Sequence, residues 1–403
     1  MDLLILLFFA LLLFVALMIP WFEGLLKRSS YLIIAILAIG LAFVLRSIFL
    51  NYQSGDFNTF LARWIEHFRT SGGFSGLAEN VGNYNVPYLY FLALFSYLPL
   101  NDLYLIKVLS IFFDIVLAFG MMKLAGVFTS SVPKRLSAYL ITLLLPTVIL
   151  NGSMWGQCDS IYTAFAVLAL WLVLSDRPKL SMVCMALSFG FKLQAIFILP
   201  IFLVLLFAKR IKFWHFFIFP FTYLIEILPA VICGKPFMET LTLYFNQADS
   251  VGSNLNYNSP SLFAIINTKT DIATFSAIGI TTALIFVLAI LAWAWFSRDR
   301  LGNDALLGIV VLFVVGIPFL LPHMHDRYFF MADVLTLLPA ILYVSYIPAA
   351  VFTSFASFLC YYLYLKGKLI LPLRYGSFAI IAVLLLYFTF TADKLNSRRT
   401  KIN

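Results

Sequence analysis

The chain has 403 residues, 63% of them hydrophobic and only 11% charged, with a mean hydropathy of +0.99. A soluble domain carries about 25% charge and has nowhere to bury so much apolar surface, so that class is excluded. A bilayer accommodates such a chain when its backbone groups are satisfied inside helices, and the composition predicts an all-α polytopic membrane protein.

Apolar stretches fall, in chain order, at roughly 3–22, 31–50, 103–124, 136–151, 158–175, 180–191, 194–208, 213–233, 274–296, 305–321, 329–343, 350–365 and 375–391. They predict about thirteen transmembrane helices, several shorter than the ~20 residues a straight span needs. The first lacks a basic flank and a small-residue cleavage site, so it is expected to be retained. The whole of 1–403 reads as a single integral membrane domain.

Basic residues recur in alternate loops: Lys27 and Arg28, Lys123 with Lys134 and Arg135, Arg177 and Lys179, Lys209 with Arg210 and Lys212, Arg298 and Arg300, and the tail with Lys394, Arg398, Arg399 and Lys401. These loops are therefore expected on the cytoplasmic side, with the tail inside and the N-terminus outside. Most of the net charge of +9 is then topological, and no nucleic-acid partner is expected. The loops of opposite parity are 51–102, 151–157, the turn near 192, 234–273, 322–328 and 366–374. They hold nearly all the polar chemistry of the chain.

The first outer loop, 51–102, opens with SGDF. Phe57, Phe60, Leu61, Trp64, Ile65 and Phe68 then recur at helical spacing, which predicts an amphipathic helix lying in the membrane interface. Pro87–Pro99 is too short to span comfortably and reads as a second interfacial or re-entrant helix. Asp56 has two open roles: N-cap of the interfacial helix or general base at the membrane surface. Within the spans, Arg46, Lys107, Asp114, Glu226 and Asp333 are either functional groups or inter-helix partners.

Residues 155–162, WGQCDSIY, crowd Trp155, Gln157, Asp159 and Tyr162 at one span entrance. Amide, carboxylate and aromatic faces together suit a sugar or its acceptor. Lys192, in GFKLQ, sits at a break between two short apolar halves, where irregular backbone at membrane depth lines a cavity. In HMHDRY, Arg327 offers a bidentate phosphate clamp, His325 a further donor and Asp326 a carboxylate. A divalent metal is not expected there: the loop is short and Arg327 would repel a cation. Cys158, Cys184, Cys233 and Cys360 are scattered and support neither a disulfide framework nor a zinc site.

WGQCDSIYTAFAVLAL, GFKLQAIFILP and LPHMHDRYFF, in this order, resemble the GT-C superfamily of polyprenyl-phosphate-sugar-dependent glycosyltransferases. The resemblance covers about residues 31–343. It is nearest the bacterial and archaeal branch that is similar to the second mannosyltransferase of glycosylphosphatidylinositol assembly, whose M-H-E-R-Y motif HMHDRY matches with Asp326 in place of Glu. It implies Asp56 as catalytic base, and Lys192 and Arg327 as holders of the donor phosphate. An extra N-terminal span precedes the one that delivers Asp56.

The expected reaction is direct displacement with inversion, mannose or another hexose passing from a polyprenyl-phosphate carrier to a glycan, lipid or protein acceptor. The expected place is a prokaryotic plasma membrane, with the site on the extracytoplasmic face. The long outer loop 234–273, with Tyr257, Asn258 and Ser261, is expected to cover the acceptor side. Two other readings are a flippase or transporter of lipid-linked sugars, and a ligase or polymerase of lipid-linked glycans.

Overall fold

The structure is a computed structural model that describes residues 3–82, 84–244, 254–266, 268 and 270–402. Lys269, the 245–253 part of the long loop and the side chains of Arg398, Arg399 and Lys401 lie outside the described residues. The chain is almost entirely helical. The helices are α1 (Leu3–Phe22), α2 (Ser29–Phe49), α3 (Ala62–Thr70), α4 (Val86–Phe95), α5 (Asp102–Phe128), α6 (Val132–Leu144), α7 (Pro146–Ile149), α8 (Asp159–Leu174), α9 (Pro178–Phe191), α10 (Ile201–Phe207), α11 (Ile218–Ile232), α12 (Ile272–Phe296), α13 (Asn303–Leu320), α14 (Phe330–Leu342), α15 (Ile347–Lys366) and α16 (Arg374–Ile402). Short helical turns at Phe237–Leu241 and Phe263–Ile266 punctuate the long loop.

Among the described residues, eight helices are long and apolar enough to cross a membrane, and α6 with Pro146–Trp155 forms a ninth candidate, bent by 45°. The bend has a local cause, since Pro146 follows Leu145 and biases it out of the helical region. Shorter apolar helices fill the remaining segments expected from sequence, α9 and the stretch 193–207 meeting at Lys192. The windows of α5 and α13 are 72% and 83% buried, against 17–28% for α1, α2, α11 and α12. The first pair is the centre of the bundle; the second group turns apolar side chains such as Leu37, Phe221 and Leu284 outward.

Successive spans run antiparallel, so the loops gather at two ends. At one end Glu23 pairs with Lys123 and Arg135, and Arg210 donates to Asn303. All the short basic loops lie at this end. At the other end the first loop folds back over the bundle. The amphipathic stripe of the α3 region is real, and most of it packs on the rest of the same loop, while Phe60 stays exposed. Phe57, Leu61, Trp64, Ile65 and Phe68 are buried in one cluster with Leu77, Tyr88 and Leu92 from the rest of the same loop. The loop is long enough to cover its own apolar face. α4 has ten residues, roughly 15 Å, and is too short to span.

The charges within the spans have specific partners. Arg46 donates to Asp114 at 2.9 and 3.2 Å and to the carbonyls of Ala42 and Leu143. Lys107 donates to the carbonyls of Phe49, Leu50 and Tyr52 at 2.6–3.0 Å. It caps the C-terminus of α2, where carbonyls have no intrahelical partner, and fixes the chain just before Asp56. Asp333 accepts from Ser357. The Glu226 carboxylate is the exception, with no hydrogen-bond partner among the described residues, and it packs against Gly190.

Candidate active site

Asp56 lies in the first turn of the helix that continues as α3, yet it does not cap that turn. Its side chain makes no capping hydrogen bond. The cap is Ser54, whose hydroxyl accepts from the Phe57 amide at 3.2 Å and donates to the Trp155 carbonyl at 2.6 Å. With the helix end satisfied by its neighbour, the Asp56 carboxylate is free to turn inward.

Four donors from three other segments meet it there. Trp155 Nε1 and Gln157 Nε2 donate to Oδ2 at 2.9 and 2.6 Å. Arg327 Nη1 lies 3.5 Å from the same oxygen. The Tyr364 hydroxyl donates to Oδ1 at 2.5 Å. Backbone irregularities aim these groups. A π-turn occupies Phe57–Leu61 directly after Asp56, and another ends at Trp155; such turns rotate the side chains that follow and collect at functional sites. Gly156, at φ +77°, makes the left-handed turn that glycine adopts without strain, so Trp155 and Gln157 on either side of it reach the same oxygen.

Behind this carboxylate lies a second one. Asp159, at the start of α8, pairs through Oδ1 with Lys192 and accepts from Asn151 Nδ2 at 2.7 Å through Oδ2. Asn151 Nδ2 also reaches the Tyr361 hydroxyl at 3.0 Å. The Lys192 ammonium lies over the rings of Tyr84 and Tyr162, 5.7 and 5.9 Å from their centroids. Tyr84 in turn donates to Gln157 Oε1 at 3.0 Å, which links the two halves.

Arg327 stands between three carboxylates, 3.5 Å from Asp56, 3.7 Å from Asp159 and 3.9 Å from Asp326. Its guanidinium lies over Trp155, 5.3 Å from the ring centroid. None of these carboxylate contacts is a short bidentate pair, and the buried Nε has no hydrogen-bond partner among the described residues. The guanidinium is held by charge and by the ring, with donors to spare.

The turn that carries Arg327 is strapped down by the long loop. The strands β1 (Asn256–Tyr257) and β2 (Met324–His325) pair in parallel, and Tyr257 stacks on His325 at 4.7 Å. His323 adopts φ +62°, its amide donating to the Leu255 carbonyl at 2.7 Å. The described part of the loop therefore sits on the segment that carries Arg327. Burial, then the charges of Arg327 and Lys192, lowers the His325 pKa to about 4, so the imidazole is neutral at pH 7 and has one N–H to offer. Burial raises the Asp326 pKa to about 7, against the opposing pull of Arg327.

The structure brings together all of the residues singled out from sequence: Asp56, Trp155, Gln157, Asp159, Tyr162, Lys192, His325, Asp326 and Arg327. It assigns different surroundings to some of them. Trp155 and Gln157 spend their N–H donors on Asp56, and the Lys192 ammonium is paired with Asp159. Tyr84, Asn151, Tyr361 and Tyr364 were not anticipated. The two from α15 sit in YYLYLK, where tyrosines near a span end read as membrane-interface residues.

The fold and site define a many-helix membrane bundle with a carboxylate, a guanidinium and a buried ion pair gathered at one end. Comparison with family models gives the particular assignment. Residues 83–322 match glycosyltransferase family 87, more than half of the chain, and the protein belongs to that family. No curated protein matches the chain. The matched region contains Trp155, Gln157, Asp159 and Lys192; Asp56, Arg327 and Tyr364 lie outside it.

Proposed function

We propose that this glycosyltransferase moves a hexose, with mannose the first candidate, from a polyprenyl-phosphate carrier to a hydroxyl acceptor, with inversion at the anomeric carbon. The observation that carries the reading is the placement of Asp56 3.5 Å from Arg327: a carboxylate and a cation with unused donors flank one position. A base is what an incoming hydroxyl needs. A guanidinium is what a departing phosphate needs as its negative charge grows. Phosphate is a good leaving group, so no second carboxylic acid has to protonate it, as a glycosidase requires.

Lys192 adds positive charge behind Asp159, and neutral His325 offers a single donor. Asp326 and Tyr162 are the groups left for sugar hydroxyls and the ring face, while Asp159, whose two oxygens are engaged by Lys192 and Asn151, backs them. Trp155 and Gln157 take the role of holding the base. A lipid carrier is favoured by an apolar groove of about 810 Å³ between α6, α14 and α15, walled by Ile141, Leu145, Leu337, Ile341 and Phe355. The basic loops lie at the opposite end of the bundle, which favours a site on the extracytoplasmic face of a prokaryotic plasma membrane.

The test is a donor comparison in proteoliposomes. Undecaprenyl-phosphate [¹⁴C]mannose, undecaprenyl-phosphate [¹⁴C]glucose and the corresponding nucleotide sugars are each supplied with an envelope extract of cells lacking the gene. The expected result is transfer from a lipid-linked sugar alone, to give a linkage of opposite anomeric configuration. Transfer from a nucleotide sugar, or retention of configuration, overturns the proposal.

A further inference from the structure

A base must have somewhere to put a proton. A carboxylate has about four lone-pair sites on its two oxygens, and those of Asp56 are unequally occupied. Oδ2 receives Trp155 Nε1 at 2.9 Å and Gln157 Nε2 at 2.6 Å, with Arg327 Nη1 at 3.5 Å. Among the described residues Oδ1 receives only the Tyr364 hydroxyl, at 2.5 Å. The open lone pair is on Oδ1.

The two oxygens also belong to different sides of the site. The Tyr364 ring stacks on Trp155 with centroids 4.1 Å apart and planes 15° from parallel. A ring so close leaves no room on that face, so the Arg327 guanidinium, 5.3 Å from the same centroid, lies over the other. Tyr364, Trp155 and Arg327 form a three-layer stack with the Asp56 carboxylate along its edge. Oδ2 is at the cation and Oδ1 is at the far layer.

The space beside Oδ1 is open. Gly55 is exposed, and a Cβ added to it would meet only the Tyr364 hydroxyl, at 3.3 Å. Any larger side chain at 55 would stand next to Oδ1. The rim beyond is formed by Tyr52, whose hydroxyl donates to the Leu365 carbonyl at 2.5 Å, and by the Lys366 ammonium above the Tyr52 ring.

We infer that the acceptor hydroxyl reaches Asp56 at Oδ1, over Gly55, with Tyr364 as the residue that positions the carboxylate for it. The inference rests on the glycosyl-transfer reading above and specifies where its second substrate enters. In the step itself, the acceptor oxygen bonds to the anomeric carbon while the bond from that carbon to the phosphate oxygen breaks. The bonding pair leaves on phosphate beside Arg327, and the acceptor proton passes to Oδ1. Tyr364 keeps its own proton throughout. Entry and departure are then on opposite sides of the sugar, as inversion demands.

Two variants of the full-length protein in proteoliposomes test this, with undecaprenyl-phosphate mannose as donor and a titrated envelope extract of cells lacking the gene as acceptor. Tyr364→Phe keeps the stacked ring and loses only the hydroxyl; its kcat is expected to fall ten- to a hundredfold with the donor KM within twofold of wild type. Gly55→Leu is expected to raise the half-saturating amount of extract at least tenfold, again without change in donor KM. A variant pair that shifts donor KM while leaving kcat and acceptor saturation alone overturns the inference, as does wild-type behaviour in both. No transfer by the wild-type protein from this or any other polyprenyl-phosphate sugar removes the glycosyl-transfer reading and the inference together, and is told apart because it appears before any substitution is made.

Discussion

Two arginines of this protein face carboxylates in largely buried surroundings, and they are held in opposite ways. Arg46 is saturated. Two nitrogens reach Asp114 at 2.9 and 3.2 Å, and further contacts go to two backbone carbonyls, with neither partner exposed. Arg327 is not. Three carboxylates surround it at 3.5–3.9 Å, its Nε makes no hydrogen bond among the described residues, and its side chain is 16% exposed. A buried charge costs free energy unless its hydrogen bonds are made, so the cheapest arrangement is that of Arg46. An arginine kept short of that state, with several negative groups nearby and donors unspent, is arranged for something that arrives. The contrast separates a packing charge from a ligand-binding charge more sharply than burial alone, since both residues lie deep.

Substitutions that break one partner at a time should sharpen the contrast. Asp114→Ala leaves Arg46 buried without its carboxylate and is expected to cost about 3–5 kcal/mol of stability, whereas Arg46→Met combined with Asp114→Leu recovers most of that loss. Thermal unfolding in nanodiscs measures both, and the double variant should retain transfer activity. An inactive but stable double variant would mean that the pair takes part in function. Arg327→Gln is expected to behave the other way, with little change in unfolding temperature and a donor affinity weaker by about 2 kcal/mol, roughly thirtyfold, the value of hydrogen bonds to a charged group. Equal loss of stability and donor binding would erase the distinction.

A smaller effect concerns pH. The Asp326 pKa is raised to about 7, chiefly by burial. Below that pH the side chain is neutral and leaves the Arg327 charge free; as pH rises through 7 it becomes a carboxylate 3.9 Å from the guanidinium and competes with phosphate. Donor affinity should therefore fall severalfold between pH 6 and 8, on the order of 1 kcal/mol, and Asp326→Asn should flatten the profile. A wild-type affinity that rises with pH would contradict the assignment.

What could be read from sequence follows the same division. The helical segments, the gathering of the basic loops at one end and the clustering of Asp56, Asp159, Lys192 and Arg327 were legible because hydropathy and loop charge act locally, and because polar residues beside apolar helices stand out. Partners were not legible. Arg46 and Asp114 are 68 residues apart, and Tyr364 reaches Asp56 across 308; nothing in a stretch such as YYLYLK tells a lipid-anchoring tyrosine from one that donates to a carboxylate. The role of Ser54 shows a subtler limit. S-G-D-F offers two side chains able to cap a helix, and only the fold shows that the serine takes the cap and releases the aspartate. The α3 region shows a further limit, because an amphipathic period reports that a face is covered, not how much of the cover the loop itself supplies.

Asp56 is where these readings meet, and its substitution is the most direct test. Asp56→Asn in proteoliposomes is expected to lose at least a thousandfold in sugar transfer from undecaprenyl-phosphate mannose to the envelope extract, while binding the labelled donor with an affinity within a few-fold of wild type, because the amide oxygen still accepts from Trp155 and Gln157 and the amide NH2 turns to the Tyr364 hydroxyl oxygen, but the amide takes no proton. Transfer at the wild-type rate by this variant would contradict the account.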